Sequence, residues 1–282
     1  MAQWSPPGEA LDHTVLQRVT GVLLMRGLLK VGLVASALYV PLASTAALAE
    51  KASSPGVFSW SGFYAGVNLG HSWYDGDIRT DAGVESFAPL SYFAASDIAA
   101  INQLASGSFR GDGSVGGVQV GANQQIGSFV LGFEADFGAF GLTGTRVGVY
   151  DIPIGIPAQG TVRVAMETDW LFTARGRLGW TPSSNLLIYA TGGLAVTELS
   201  VSNSYTDTAP SAGVGGSSAS KLMFGWALGG GAEWALTQHW SLKAEYMHIK
   251  FGSVSTQGFV FCGPSSTVDC SGGDAIPSQM ST

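Results

Sequence analysis

The sequence predicts an all-β protein, an eight-stranded antiparallel up-and-down barrel that crosses a membrane. Three observations predict it. Hydrophobic residues make up 46% of the chain and charged residues 12%, although no run after Glu50 has the roughly 18 apolar residues that a membrane-spanning helix needs. Apolar and polar residues alternate in several segments, which is the period of a β-strand with one apolar face. Short and long connections also alternate along the chain, as in outer-membrane barrels.

Seven segments show this alternation. In the first, Phe63, Val67 and Leu69 share one face, and Tyr64 and Asn68 share the other. The segments are residues 63–70, 118–123, 129–138, 170–180, 186–196, 224–234 and 240–246. Glycine-rich disorder is the rival interpretation, but the 40 glycines lie within alternating apolar segments and not in Gly/Ser tracts.

The connections fall into two classes. Tight turns are predicted at residues 126–128, 181–185 and 237–239, and long polar loops at about residues 74–113, 142–167 and 200–221. Short turns on one side and long loops on the other indicate a periplasmic and an extracellular end.

The N-terminal region predicts export. Residues 25–49 have a basic start, an apolar middle and a small-x-small end, so they are predicted to be a signal peptide cleaved after Ala49. An uncleaved helical anchor is the alternative. Residues 1–24 form an upstream extension resembling neither a domain nor an export signal, so Met25 is an alternative start of translation. A linker, residues 50–61, precedes the barrel at 62–252 and a terminal loop and tail at 253–282.

Removal of residues 1–49 leaves ten basic and eighteen acidic residues, a net charge of −8. This excludes nucleic acid as an expected partner, since nucleic-acid binding needs a basic face. Cys262 and Cys270 lie in a chain bound for an oxidising compartment, and a disulfide between them is the first interpretation. Metal binding by these cysteines is the alternative, and no cofactor is expected.

The eighth strand is expected to be missing. Bacterial single-chain barrels have even strand numbers, yet residues 271–282 have no alternating apolar face and contain Pro277. The segment Phe259 to Phe261 is too short to cross a bilayer. Unpaired edges on the first and seventh strands would cost several kcal/mol per exposed backbone group in hydrocarbon.

The charged residues of the strands all fall opposite the aromatic face, so they are predicted to point into the lumen and to pair there as a plug. They are Glu134, Asp136, Arg175, Arg177, Glu233, Lys243 and Glu245. Five tryptophans near strand ends are predicted to lie at the membrane interface, with ordinary packing as the alternative; they are Trp170, Trp180, Trp226, Trp234 and Trp240.

The chain resembles the small outer-membrane immunogenic, porin-like proteins of alphaproteobacteria over about residues 60–252. The motifs that carry the resemblance are Trp60 to Gly66, Phe133 to Asp136, Arg175 to Gly179, Tyr189 to Gly193 and Trp240 to Tyr246. The resemblance implies an eight-stranded barrel in the outer membrane with exposed loops, and no catalytic residues. It also implies a closing strand that ends in an aromatic residue read by the barrel-assembly machinery, which this chain lacks.

The first functional hypothesis is an envelope barrel with a structural and surface-interaction role, a plugged lumen and no enzymatic activity. Its expected partners are outer-membrane lipid, the assembly machinery and host or cell-surface molecules at the extracellular loops. A narrow porin-like channel for small solutes is the alternative. A lipid-modifying enzyme is a distant third, because His71 and His248 come near Ser72 and Ser253 in the sequence. A soluble β-sandwich is disfavoured, since its outward faces should be polar.

Overall fold

The structure, a computed structural model, describes residues 15–16, 26–37, 58–78, 95–152, 157–210, 213–261 and 272–281. Side chains are described for residues 58–75, 96–152, 157–210 and 213–252. The predicted cleavage site at Ala49 and the predicted disulfide of Cys262 and Cys270 lie outside the described residues. No helix among the described residues is long and apolar enough to span a membrane.

The elements are twelve strands and one helix in the described part of the chain. The first six strands and the helix are β1 (Val15–Leu16), β2 (Arg26–Ala37), β3 (Gly62–Ile78), α1 (Ala95–Ala105), β4 (Gly107–Ile126), β5 (Phe129–Phe140) and β6 (Thr143–Asp151). The remaining strands are β7 (Gln159–Ser183), β8 (Leu186–Asp207), β9 (Val214–Ala235), β10 (Ser241–Phe251), β11 (Ser253–Phe261) and β12 (Gly272–Ser281).

Eight strands pair in a ring, each antiparallel to both of its neighbours. Their order is β3, β4, β5, β7, β8, β9, β10 and β2, and β2 pairs with β3 again. β6 continues β5 along the same edge of β7, because residues 129–139 and 143–151 pair with successive parts of that strand. The predicted fold class, an all-β antiparallel up-and-down barrel of eight strands, is confirmed.

The ring position between β3 and β10 is taken by β2. Ala35 of β2 is opposite Ala244 on one side and Leu69 on the other. The sequence predicts that this position is empty, because residues 271–282 have no alternating apolar face and residues 25–49 read as a signal peptide. The C-terminal strands β11 and β12 form a hairpin that pairs with β9 only at Phe259 to Phe261, so they do not fill the position. Removal of residues 1–49 would also remove β2.

The strands are longer than the alternating segments predicted. Most of the predicted loops 142–167 and 200–221 are strand, in β6, β7, β8 and β9, and α1 lies within the predicted loop 74–113. The prediction was wrong there because most outward residues of these parts are polar, so their composition resembles that of a loop although the strand period is kept. The inward residues remain apolar, such as Val162, Val164, Leu199 and Val201, all buried.

The outward face of the ring carries an apolar belt. On β7 the outward residues change at an irregularity between Thr168 and Leu171. Before the irregularity, Arg163 and Glu167 are exposed. After it, from Phe172 to Trp180, the outward residues are apolar. Nine residues match the length of a tilted membrane-spanning strand. An exposed apolar band of this size marks a surface that contacts something other than water.

We predict that β2 is required for a closed ring. The chain of residues 25–282 and the chain of residues 50–282, refolded in detergent, differ only in whether β3 and β10 are bridged. The longer chain is expected to run faster on a gel before boiling than after, as closed barrels do, and the shorter chain is not. Equal behaviour of the two chains would contradict this role of β2.

Candidate functional site

The candidate site is a cluster of seven charged side chains inside the ring, which we call the charge cluster. Strand alternation turns all seven inward: six are buried, and the Asp136 side chain is 16% exposed. In the strand register, Glu134 on β5 lies directly opposite Arg175 on β7, and Glu233 on β9 lies directly opposite Lys243 on β10. The cluster holds three cations and four carboxylates; its members are Glu134, Asp136, Arg175, Arg177, Glu233, Lys243 and Glu245.

Arg175 lies at the centre of the charge cluster. Its Nη2 donates to Glu134 Oε1 and to Asp136 Oδ2, both at 2.7 Å, and its Nη1 donates to Glu245 Oε1 at 2.5 Å. Its Nε donates to Thr173 Oγ1 at 3.1 Å. A buried guanidinium needs such partners, because an unpaired buried charge costs several kcal/mol. Since Glu245 belongs to β10, this one side chain ties opposite walls of the ring together.

Lys243 makes the second tie across the ring. Its Nζ donates to both carboxylate oxygens of Glu134 at 2.9 Å. Two tyrosine hydroxyls add hydrogen bonds to these carboxylates. Tyr64 donates to Glu134 Oε2 and Tyr189 donates to Glu245 Oε2, both at 2.7 Å. Because the cluster has more carboxylates than cations, these neutral hydroxyls supply the hydrogen-bond donors that the remaining carboxylate oxygens need.

Arg177 and Glu233 form a separate pair on the side of the short turns. Arg177 Nη2 donates to Glu233 Oε2, and Ser241 Oγ donates to the other oxygen at 2.5 Å. The guanidinium carbon lies 3.7 Å from the centroid of the Tyr189 ring, a cation–π contact. The pair therefore contacts the rest of the charge cluster through Tyr189 and through Tyr64, whose hydroxyl accepts from Arg177 Nη1 at 3.5 Å.

Two glycines make room for the tyrosines. A Cβ on Gly121 would lie 2.4 Å from the Tyr64 hydroxyl, and one on Gly231 would lie 2.7 Å from the Tyr189 hydroxyl. Any side chain at these inward positions would push a tyrosine from its carboxylate. The lumen of an eight-stranded barrel is narrow enough for such close approach.

A small apolar layer lies between the charge cluster and the short turns. Trp60, just before β3, is 2% exposed and packs with Phe58, Val130 and Leu187. Its backbone N–H donates to Gln125 Oε1 at 3.1 Å, which fixes the chain at the mouth of the ring. The end of the predicted linker 50–61 thus forms part of the interior.

A larger apolar layer fills the other end of the ring. Ile101 and Ala105 of α1 are buried in it with Phe109, Phe140 and other inward side chains. Arg146 holds the end of the helix, because its Nε donates to the Leu104 carbonyl oxygen at 2.7 Å. Cations that bind the free carbonyl groups at a helix C-terminus stabilise that terminus.

Two small cavities lie in the described interior. One of about 20 Å³ lies in the larger apolar layer, beside Met166, Met223 and Phe251. Another of about 30 Å³ lies beside Asp136 and Thr173. Each has room for a few water molecules at most. Among the described side chains, no group of three or more His, Cys, Asp or Glu residues could hold a metal ion.

The five predicted interface tryptophans lie on the outward surface in two rows. Trp180, Trp234 and Trp240 are close to the short turns, and Trp170 and Trp226 are at the other edge of the belt. The exposed fractions of Trp180, Trp226, Trp234 and Trp240 are between 44% and 56%. Their place at the membrane interface stays a prediction.

The structure places His71 and Ser72, one histidine and serine pair of the enzyme hypothesis, on opposite faces of β3. Ser72 is buried and donates to the Gly113 carbonyl oxygen at 3.1 Å. His71 faces outward and stacks on Trp73, with ring centroids 6.4 Å apart. His248 lies against Trp226, with centroids 5.8 Å apart. The side chain of Ser253 is outside the described residues.

Family comparison identifies the class of protein. The family model described as "outer membrane protein beta-barrel domain" matches residues 35–261, which is most of the chain. The chain belongs to this family. It is therefore an outer-membrane β-barrel protein.

Relatives within this family have consistent names. The "31 kDa outer-membrane immunogenic protein" of Brucella melitensis is 34% identical over 208 residues, covering 72% of this chain and 76% of the relative, and the protein of the same name from Brucella suis matches equally. The "22 kDa outer membrane protein" of Rhizobium leguminosarum is 26% identical over 206 residues, covering 73% of this chain and 71% of the relative. No solved structure matches the chain.

We predict that Arg175→Met destabilises the protein by about 3–5 kcal/mol, because it leaves two buried carboxylates, Glu134 and Glu245, and the half-buried Asp136 without their shared cation. The matched control is Arg163→Met on the same strand, whose side chain is exposed and whose loss should change the free energy of unfolding by less than about 0.5 kcal/mol. Unfolding by guanidinium chloride in phospholipid vesicles measures the free energy of unfolding of both variants. Equal stabilities of the two variants would remove the energetic role of the cluster.

Proposed function

We propose that this outer-membrane barrel is a sealed structural protein of the envelope that presents a rigid surface to the outside, and that it is neither a solute channel nor an enzyme. The observation that carries the proposal is the set of ion pairs from Arg175 and Lys243 across the ring. A solute would have to break these pairs, and each broken buried pair is costly.

The layers on both sides of the charge cluster support the same function. Trp60 fills the mouth near the short turns, and α1 fills the other end. Water and ions cross a hydrophobic constriction poorly, because its apolar walls favour the dewetted state. Among the described residues, the small cavity beside Asp136 favours the channel alternative, and it has room for only a few water molecules.

The surface role rests on the length of the strands. From Gln159 to Asp169 β7 continues for eleven residues beyond the belt, which at ~3.3 Å per residue and a tilt of ~40° raises its tip about 28 Å above the lipid. The segments at this end would contact host or cell-surface molecules. The name "immunogenic" of the Brucella relatives suits a protein that is accessible from outside. Outer-membrane lipid and the assembly machinery are the other proposed partners.

We predict that the purified protein gives no conductance steps above those of lipid alone in planar bilayers. Trp60→Gly should also stay closed, because the charge cluster still spans the ring. Steps well above background in the unsubstituted protein would overturn the sealed-barrel proposal in favour of a channel.

We predict that Thr206→Cys is labelled on intact cells by a membrane-impermeant maleimide, because it is exposed near the raised end of β8. Ser184→Cys, in the short turn between β7 and β8, is the control and should react only after the outer membrane is permeabilised. Both variants carry serine at Cys262 and Cys270. The reverse pattern of labelling would invert the proposed orientation.

A further inference from the structure

The outward face of β8 beyond the belt carries hydroxyl groups at every second residue. Their inward neighbours Leu199, Val201, Asn203 and Tyr205 are all buried, which fixes the strand and its facing. The outward residues are Ser200, Ser202, Ser204 and Thr206. This uniform use of small neutral hydroxyls differs from β7 at the same height, where the outward residues include Arg163 and Glu167.

The neighbouring strands extend this surface. Ser202 is opposite Ser218 and Ser200 is opposite Ser220 on β9, and Thr206 is opposite Thr161 on β7. The Ser200 and Ser220 hydroxyl oxygens lie 2.8 Å apart. We call the set the hydroxyl face; it consists of Thr161, Ser200, Ser202, Ser204, Thr206, Ser218 and Ser220.

The hydroxyl face adjoins the lipid-facing belt on the same strands. On β9 Leu222 and Phe224 directly follow Ser220 in the outward row. On β8 the outward row runs from Leu194, 67% exposed, through Val196 and the exposed Glu198 to Ser200, so one carboxylate marks the boundary there. The face therefore begins where the acyl chains end. In the outer leaflet of a Gram-negative outer membrane, the groups at this height are the sugars of lipopolysaccharide.

The chemistry of the face suits sugars better than ions. Hydroxyls both donate and accept hydrogen bonds and carry no charge. Short side chains on a paired strand lose little rotamer freedom when they bind. The strand spacing of ~4.8 Å and the same-face repeat of ~6.7 Å along a strand give a fixed grid of such groups. A flexible charged surface would offer neither property.

We propose that the hydroxyl face binds the core sugars of the outer-leaflet lipopolysaccharide around the barrel. The contact adds a sugar-binding surface to the lipid contact of the belt. It would hold the raised part of the wall in a fixed position relative to the leaflet.

The test compares the temperature at which the folded, fast-migrating form is lost in two kinds of vesicle. One contains phospholipid with lipopolysaccharide that bears its core sugars; the other contains phospholipid with lipid A, which lacks them. The face variant is Ser202→Ala/Ser204→Ala/Ser218→Ala. The matched control, Ser114→Ala/Ser128→Ala/Ser184→Ala, removes three exposed hydroxyls elsewhere. Each protein in lipid A vesicles serves as its own reference, so a change in basal stability cancels.

The full chain and the control variant are expected to be more stable in sugar-bearing vesicles, and the face variant to lose at least half of that difference. An equal midpoint in the two vesicles for the full chain would overturn the proposal, and so would a face variant that keeps the whole difference. A difference that grows with the protein-to-lipid ratio would overturn it in favour of a second copy of the chain on this face.

Discussion

The structure depends on the need to partner one buried guanidinium. Arg175 sits in the centre of a ring too narrow for bulk water, so its charge must be matched by protein groups. Glu134, Asp136 and Glu245 match it from two other strands. Lys243 reduces the excess of negative charge that remains, and the tyrosine hydroxyls donate hydrogen bonds to Glu134 and Glu245. The position of β10 relative to β5 and β7 is therefore fixed by ion pairs across the lumen as well as by strand pairing around the ring.

This arrangement divides the molecule into zones along the strands. The charge cluster lies within the belt, and the larger apolar layer extends with α1 beyond it. Beyond the belt, the wall has the ordinary pattern of a water-soluble sheet, with polar residues outward and apolar residues inward. Within the belt the pattern is reversed: apolar residues point outward, and polar pairs are enclosed. One strand such as β7 carries both patterns, and it changes between them at the irregularity near Trp170.

Much of this could be read from the sequence. The period of two placed the seven strands within the belt and turned the charged side chains inward, because in those segments the two faces differ sharply in polarity. It failed beyond the belt, where Ser200 to Thr206 read as a polar loop although Leu199, Val201 and Tyr205 keep the strand period. It also missed Tyr64 and Tyr189 as partners of the carboxylates, since a tyrosine on a polar face gives no sign of which acid it reaches. Pairing of β2 was hidden, because an apolar segment that fits a signal peptide also fits a membrane strand.

The depth of the charge cluster has a consequence for variation of the sequence. Arg175 and Lys243, which cross the ring, lie within the belt, whereas the ends of β7 and β8 at Gln159 and Asp207 lie beyond it. Substitutions at the exposed outward positions near those ends remove no ion pair of the charge cluster. That end of the two strands can therefore vary in sequence while the contacts across the ring are kept.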